Sequence, residues 1–271
     1  MEFQFAFAIL ADPHVTTDVD HQERLAAAVD WVNANAAERD IELVWVVGDI
    51  GWGEGLPIAR DLLSELEPIW LPVLGDNEVV FGDEQNFGLV FDEQMRSLAS
   101  TLPGWTRGAV EVENPVYEQT SWMHNFAFDY GGLRWIGLDW CSRSDNALLS
   151  ELGELQDFEG GTLPYLSQEL SALSGEGEED ILLFSHHPMH VGMFSDAQMR
   201  SLIDLIGPQA GRVSDNYAGH THVNAEVEVE EGGYTVWVTD AVWDDVNTVR
   251  VVGVYSDGSR YEYTQELVIV P

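Results

Sequence analysis

Short apolar runs alternate with helical patterns in the first third of this chain, and this alternation constrains its fold more than any other feature. Three runs rich in aliphatic and aromatic residues predict buried strands: Phe3–Leu10, Ile41–Val47 and Trp70–Leu74. Between them, apolar residues recur at the spacing of a helix face: Leu25, Val29, Val32 and Ala36, then Leu62, Leu63 and Leu66. Strand, helix and strand in this order predict an α/β domain.

The rest of the chain continues the pattern and then becomes rich in strands. Further apolar runs predict strands at Leu133–Leu138 and Ile181–Phe184, and helical spacing covers Phe91–Leu98, Leu163–Leu173 and Ala197–Ile206. Val, Thr and Tyr dominate three later segments, which predicts consecutive strands at Thr235–Val242, Thr248–Tyr255 and Arg260–Val270. Because neither a repeat nor a long linker interrupts the sequence, we expect a single α/β domain with a mixed sheet over residues 1–271.

The charge of the chain excludes several classes of protein. It has 48 Asp and Glu residues against 11 Arg and no Lys, which gives a formal net charge of −37. Nucleic acid and anionic lipid are therefore not expected partners, since too few bases are present to form a positive face. No run approaches the roughly 20 apolar residues of a membrane helix, and the N-terminus resembles a strand more than a signal peptide. We expect a cytoplasmic protein, with a secreted protein whose signal has been removed as the alternative.

The acid excess itself has two interpretations. Surface charge of one sign increases solubility in any protein. In molar salt, where the Debye length falls to about 3 Å, an acidic surface is also tolerated because its self-repulsion is screened. The absence of Lys beside abundant Asp and Glu favours this second interpretation, and the sequence predicts a halophilic protein.

Five short polar motifs follow the apolar strands in order, where open α/β sheets bind their ligands. They are Asp12-Pro13-His14, Gly48-Asp49, Gly75-Asp76-Asn77-Glu78, Ser185-His186-His187-Pro188 and Gly219-His220-Thr221-His222. Carboxylates and imidazoles together are the ligand set for divalent transition metals such as Zn, Mn and Fe. Each motif alone is weak, but five of the eight His residues fall within them. The ordered set therefore predicts a metal centre.

The spacing inside the motifs suits this prediction. Residues two apart on an extended backbone point the same way, which predicts a shared direction for the side chains of Asp12 and His14, and likewise for those of His220 and His222. The glycines that precede three of the motifs would remove side-chain bulk where the backbone turns beside an ion. These glycines are Gly48, Gly75 and Gly219.

In this order the motifs resemble those of the calcineurin-like metallophosphoesterases, which are D-x-H, GD, GNH(D/E), H-x-P and GH-x-H, over the stretch from Asp12 to His222. The resemblance implies a four-layer α/β/β/α sandwich with mixed sheets and two divalent ions at one edge. It places Asp12, His14 and His222 on the first ion, Asp76, His186 and His220 on the second, and Asp49 between the two. It also implies hydrolysis of a small-molecule phosphomonoester or phosphodiester by a hydroxide that bridges the ions.

One motif departs from the family pattern. Aligned without a gap, it places Asp76 at the family's Asn ligand and Asn77 at its catalytic His; an insertion after Gly75 would instead keep Asn77 as the ligand. We prefer the ungapped alignment because the apolar residues 72–74 lead into Gly75 as the family's strand does. An ionised Asp76 would lower the net charge of the centre by one unit relative to Asn.

The departure also affects the catalytic residues, for which Asn77 and His187 are the candidates. Asn77 would stabilise charge on the phosphoryl oxygens, but an amide cannot protonate a leaving alkoxide. His187 is a candidate donor of that proton, as are Glu78, His190 and His124. A pseudoenzyme, which keeps the fold and binds without turnover, is the alternative function.

Three further features bear on the substrate. Arg107 and Arg143 are candidates for a phosphate contact, and Trp52 would either line the pocket or pack against the sheet. The stretch from Gly82 to Gly132 is longer than a plain connection, so it is predicted to be a loop that sets specificity.

Overall fold

The computed structural model describes residues 1–146, 150–173, 180–209, 211–244 and 246–271. Residues 174–180 are rich in Glu and Gly, a composition that predicts a surface loop before a strand, and they lie outside these ranges except for Asp180. Within them the chain forms two large stacked sheets with helices on both outer faces. No helix of the described residues has the length and apolarity that crossing a membrane requires.

The first sheet contains five strands in the described part of the chain. They are β1 (Glu2–Leu10), β2 (Ile41–Val47), β3 (Ile69–Val73), β13 (Thr248–Ser256) and β14 (Tyr261–Ile269), in the spatial order β14-β13-β1-β2-β3. Strands β1, β2 and β3 are parallel, and β13 pairs antiparallel with both β1 and β14. The sheet is therefore mixed, and the carboxyl ends of its three parallel strands meet at one edge.

The second sheet contains seven strands among the described residues. They are β4 (Thr106–Arg107), β7 (Phe126–Tyr130), β8 (Leu133–Leu138), β9 (Ile181–Ser185), β10 (Val213–Ala218), β11 (Ala225–Val229) and β12 (Tyr234–Val238), in the order β11-β12-β10-β9-β8-β7-β4. Strands β8, β9, β10 and β12 are parallel. A separate hairpin joins β5 (Glu111–Asn114) to β6 (Gln119–Trp122).

Helices flank both sheets. In the described residues they are α1 (Val19–Arg39), α2 (Gly55–Leu63), α3 (Asp76–Val80), α4 (Glu84–Val90), α5 (Asp92–Thr101), α6 (Thr162–Ala172) and α7 (Asp196–Ile206). Helix α1 shows why these segments are helical. The Asp18 carboxylate caps its first turn by accepting from the Asp20 N–H, and Asp40 ends it in the left-handed conformation at φ 51°.

Three apolar layers hold the sheets and helices together. Between the sheets, aromatic rings dominate, and Trp45 stacks on Phe184 with ring centroids 3.8 Å apart. Outside the first sheet, α1, α2 and α4 bury residues such as Leu25 and Leu56; outside the second, α6 and α7 bury Leu166 and Leu202. Helix, sheet, sheet and helix in this order confirm the predicted α/β/β/α sandwich with mixed sheets.

Three predicted element boundaries or types are wrong. The segment predicted to end at Val242 leaves the sheet after Val238, and helix α2 ends at Leu63 instead of reaching Leu66. The stretch from Gly82 to Gly132 is not a loop, because α4, α5 and β4 to β7 lie within it. Strands β4, β5 and β6 in this stretch are short and rich in polar residues, so they carry little of the apolar signal on which the prediction depends.

Candidate metal centre

The seven predicted ligands come together where the strand ends of the two sheets meet. Asp12, Asp49 and Asp76 follow β1, β2 and β3 of the first sheet, while the three histidines of the later motifs follow β9 and β10 of the second. His14 lies two residues beyond Asp12. The side chains of all seven form two adjoining clusters: Asp12, His14, Asp49, Asp76, His186, His220 and His222.

The first cluster contains Asp12, His14 and His222. One donor atom from each lies within 4.8 Å of the others, and the two imidazole rings are 5.0 Å apart. His222 Nε2 is 3.7 Å from Asp12 Oδ1. These distances leave the three side chains facing a common point.

The second cluster centres on one carboxylate oxygen of Asp76. His186 Nε2 lies 2.6 Å from Asp76 Oδ1 and His220 Nδ1 lies 3.2 Å from the same oxygen. Asp49 adjoins both clusters, because its Oδ2 is 3.2 Å from His14 Nε2 and its Oδ1 is 3.4 Å from His186 Nε2. Asp49 is thus the carboxylate that connects the two groups.

Unpartnered ring nitrogens show that this donor set fits a metal. His14 Nε2 is buried beside the Asp49 carboxylate, yet it makes no hydrogen bond within the described residues. Both ring nitrogens of the fully buried His187 likewise lack a partner among those residues. Buried polar atoms normally have partners, and a neutral imidazole nitrogen with a free lone pair is a good ligand for divalent ions.

Backbone carbonyls orient two of the histidine rings. His186 Nδ1 lies 3.0 Å from the carbonyl oxygen of Val47, and His220 Nε2 lies 3.0 Å from that of Glu151. Since a carbonyl can only accept, these nitrogens carry the hydrogen in the neutral rings. The lone pairs on His186 Nε2 and His220 Nδ1 are then directed into the second cluster, as metal ligands require.

The backbone at the centre is left-handed, which corrects the predicted extended geometry. Five ligand residues have positive φ: Asp12 at 48°, His14 at 49°, Asp49 at 48°, His220 at 71° and His222 at 51°. Asp and His adopt this region more readily than bulkier residues, but it remains costly, and such strain concentrates at functional sites. Asp12 and His14 therefore meet in the first cluster through turns of the backbone, whereas His220 and His222 face different clusters.

Close packing against the predicted ligands, more than a need for a turn in the backbone, explains the glycines at positions 48, 75 and 219. A Cβ at Gly75 would lie 2.0 Å from the Asp49 amide nitrogen, and one at Gly219 would lie 2.4 Å from Asp12 Oδ2. Only Gly48 also has a positive φ, of 86°, and its Cβ would meet His186 Nδ1 at 2.4 Å. A side chain at any of the three positions would displace a predicted ligand.

Comparison with known families decides the identity of the fold. The model of the calcineurin-like phosphoesterase family matches residues 5–224, which include all seven predicted ligands. The chain belongs to the calcineurin-like phosphoesterase family. No curated protein sequence matches it.

Solved structures agree on the fold of this chain. The TT1561 protein of Thermus thermophilus is 11% identical, with a TM-score of 0.51 over 96% of this chain and 98% of that one. The sulfate thiohydrolase SoxB of Thermus thermophilus, solved with glycerol, is 13% identical, also with a TM-score of 0.51. This chain aligns over 92% of its length to 42% of SoxB. At these identities the likeness concerns the fold alone.

The departure from the family pattern has a clear structural outcome. Asp76, not Asn77, places its side chain against His186 and His220, where it is 4% exposed. Asn77 donates to Asp49 instead, through its backbone N–H at 2.9 Å and through its side-chain amide. The ungapped alignment matches this placement, and the predicted contact of Asn77 with phosphoryl oxygens stays a prediction.

Mutual electrostatics keep the second cluster ionic. Burial raises the pKa of Asp76, but hydrogen bonds with His186 and His220 outweigh it and hold this pKa well below its usual range. Burial lowers the pKa of His186, while Asp49, Asp76 and Asp12 raise it well above its usual value. Asp76 is therefore ionised, and the carboxylates around His186 favour a positive charge among them.

The candidate proton donors do not suit that role. Burial, and next the neighbouring His220 imidazole, hold the pKa of His187 well below its usual range, so this ring carries no extra proton near neutral pH. Glu78 accepts from the N–H groups of Gly51 and Gly75 at 3.0 and 2.8 Å, which uses both its oxygens to join two loops. Burial, and next the charge of Asp49, raise its pKa to about 8.

The remaining two candidates, His190 and His124, each contact a backbone carbonyl. His190 contacts the carbonyl of Val191 at the surface. His124 is buried against Phe87, its Nε2 contacts the carbonyl of Glu84, and burial lowers its pKa to about 4. Because His124 is neutral near neutral pH and its Nε2 contacts a carbonyl, it does not suit the role of proton donor.

His124 should make the protein sensitive to acid. Its folded pKa is lower than that of an unfolded His, so its stabilising effect is full above about pH 6.5 and is lost as the pH falls toward 4. We expect this group to cost about 3 kcal/mol of unfolding free energy across that window. The unfolding free energy measured with denaturant should therefore differ less between pH 4.5 and pH 7 in His124→Gln than in the wild type. An equal pH dependence in both proteins would contradict the assignment.

Arg143 is a structural residue, which corrects its candidacy for phosphate binding. Its guanidinium is buried and pairs with Asp139 at 2.7 Å and Glu84 at 2.8 Å, and it donates to two carbonyls. These bonds use the donors that a phosphate would need. Arg107 is half-buried, and burial lowers its pKa.

Some residues at the centre escaped prediction. The carbonyls of Val47 and Glu151 orient ligands, but every residue has a carbonyl, so no residue-type signal could have found them. His21 contacts the carbonyl of His14 at 2.6 Å, and Trp243 packs on the rings of His14 and His222. An unassigned His and Trp near the motifs gave at most a weak signal.

Proposed function

We propose that this protein hydrolyses phosphate esters with two divalent ions held by the two clusters. The observation that carries the proposal is the position of Asp49, whose two carboxylate oxygens face one cluster each. Asp12, His14 and His222 would hold the first ion, and Asp76, His186 and His220 the second. The fully buried His187 lies within ligand distance of Asp76 and His220 and is a competing ligand for the second ion.

The chain's own residues supply orientation, and bound metal ions would supply Lewis acidity. Two divalent ions, when bound, neutralise charge on phosphoryl oxygens and make water more acidic. Asn77 fixes the Asp49 carboxylate with two hydrogen bonds, and the backbone N–H of His220 donates to both oxygens of Asp12 at 3.0 Å. These contacts preorganise the bridging and terminal carboxylates before substrate arrives.

A groove beside the second cluster suits a small substrate. Its volume is about 540 Å³, and Glu151, whose carbonyl orients His220, forms part of its wall. Gln85, Gln119 and Trp122 also line it, and all three belong to the 82–132 stretch predicted to set specificity. Its lining includes three carboxylates and one guanidinium, and this excess of negative charge disfavours a polyanion such as nucleic acid.

Metal analysis with two model esters tests this function. We expect two equivalents of Mn²⁺, Zn²⁺ or Fe²⁺ per chain and metal-dependent turnover of p-nitrophenyl phosphate or bis(p-nitrophenyl) phosphate. Preference for one ester separates a phosphomonoesterase from a phosphodiesterase. Since nitrophenolate is a good leaving group, the missing acid at Asn77 should not prevent turnover. Two bound metals without turnover of either ester, across pH and salt, would favour the pseudoenzyme.

Replacing the charge at position 76 should shift the pH dependence of the reaction. Two divalent ions would contribute +4, which Asp12, Asp49, Asp76 and a bridging hydroxide would reduce to 0, so Asp76→Asn would raise the net charge of the centre to +1. The attacking water should then ionise at lower pH, so the acidic limb of the kcat/KM profile should move down by about one unit. Metal content must be measured in parallel at each pH. An acidic limb that stays in place with both ions bound would contradict the charge argument.

Salt should increase activity before it inhibits. An anionic ester approaches a protein of net charge −37, and salt screens this repulsion over distances beyond the Debye length of about 10 Å at 0.1 M. We expect kcat/KM to rise about tenfold between low salt and 1 M KCl, chiefly through KM. A steady fall from the lowest salt would mean that the acid excess serves only solubility.

A further inference from the structure

Trp243 is anchored beside the first cluster from both sides. The N–H of Val242 donates to the carbonyl of Ala11 at 2.8 Å, one residue before Asp12. On the other side, the Arg24 guanidinium donates to the carbonyl of Asp244. The backbone that carries the indole is therefore tied to the end of β1 and to α1.

The indole contacts three imidazole rings. It stacks on His14 with centroids 5.3 Å apart and an interplanar angle of 26°, and it meets His222 edge-on at 5.6 Å. His21 lies against it at 5.2 Å, and its Nδ1 also contacts the carbonyl of His14. One tryptophan thus touches both predicted histidine ligands of the first ion and braces them against a third histidine.

The two clusters orient their histidines by different means. Carbonyl oxygens hold His186 and His220. Among the described residues, no carbonyl hydrogen bond is found for the rings of His14 and His222, so packing against Trp243 takes the place of that contact. The indole Nε1 is buried without a partner in the same part of the chain, which means that the ring, and not its N–H, makes the interaction.

We propose that Trp243 is a positioning residue that holds His14 and His222 in the orientation the first ion needs. The inference rests on the proposed function, because it assumes that these histidines bind metal. Contacts that orient metal ligands typically change affinity by 10- to 100-fold when removed. Trp243→Ala should therefore lower the affinity for one of the two ions by that factor and leave the affinity for the other nearly unchanged. Trp243→Phe, which keeps an aromatic ring, should stay within about threefold of the wild type.

Titration calorimetry with Mn²⁺ tests the proposal on the full chain, and visible spectra of the Co²⁺-substituted protein add a signature of ligand geometry. Trp31→Ala serves as the control, since Trp31 packs on Arg39 away from the centre. We expect the Co²⁺ absorption of one site to change in Trp243→Ala and to return in Trp243→Phe. Denaturant unfolding of the metal-free variants shows whether each one folds.

The possible outcomes separate the two hypotheses. A wild-type chain that binds no Mn²⁺ would overturn the proposed function. If the wild type binds two ions and Trp243→Ala binds both equally well, only the role of Trp243 fails. An equal loss of affinity for both ions in Trp243→Ala would also overturn the role of Trp243, because it indicates general destabilisation. A Trp243→Phe variant that binds metal as poorly as Trp243→Ala would overturn it too, because it indicates a role for the indole N–H.

Discussion

Asp49→Asn should lose both metal ions and lower kcat/KM by about 10⁴-fold. The Asp49 carboxylate lies 3.2 Å from His14 Nε2 in the first cluster and 3.4 Å from His186 Nε2 in the second. The neutral amide of Asn at this position would therefore lower the affinity for both ions. Each ion contributes several kcal/mol to the transition state, and every 1.4 kcal/mol is a factor of about ten in rate. Asn is preferred to Ala as the substitution because residue 49 has φ 48°, which Asn tolerates. Metal content and turnover of p-nitrophenyl phosphate measure the effect.

Asp215→Asn is the matched control for this variant. Asp215 is also a buried aspartate on the second sheet, but it pairs with Trp237 Nε1 at 2.7 Å. This variant should keep two ions and near-normal turnover. Retention of two tightly bound ions in Asp49→Asn would show that Asp49 is not the shared ligand.

Gly75→Ala should cost at least 100-fold in kcat/KM, although it adds only one methyl group. Gly75 has φ −104°, which Ala adopts freely, so the effect is steric. The new Cβ would lie 2.0 Å from the Asp49 nitrogen and 2.8 Å from its Cα, and these backbone atoms cannot yield without separating the ends of β2 and β3. Overpacking of this kind costs about 3 kcal/mol. Asp49 and Asp76 should be displaced together, and metal affinity should fall for both ions.

Gly207→Ala provides the comparison, because among the described residues its Cβ would meet nothing closer than the Glu231 carbonyl oxygen at 3.7 Å. We expect its metal affinity, turnover and unfolding free energy to match the wild type within about 0.5 kcal/mol. If Gly75→Ala behaves in the same way, the strand ends are more pliable than their packing indicates, and the glycine is not required for the centre.

The sequence predicted the fold class and the ligand set because both depend on local patterns. Apolar runs at Ile41–Val47 and Leu133–Leu138 match their strands residue for residue. Parallel strands bring their carboxyl ends to one edge, so polar residues after each strand had to converge. The short polar strands β5 and β6 were not predicted, since the strands of a half-exposed hairpin lack a continuous apolar run.

Only the tertiary structure decided how the predicted ligands are arranged. The choice between Asp76 and Asn77 depended on which side chain reaches His186 and His220, a contact across 110 and 144 residues of sequence. The left-handed backbone at Asp12 and His14 replaced the expected extended one, since the packing of neighbouring loops fixes φ there. The contacts of Trp243 were equally invisible, because its distance from His14 in sequence exceeds 200 residues. Residue type determines which groups can bind a metal, whereas long-range packing determines which of them face it and in what orientation.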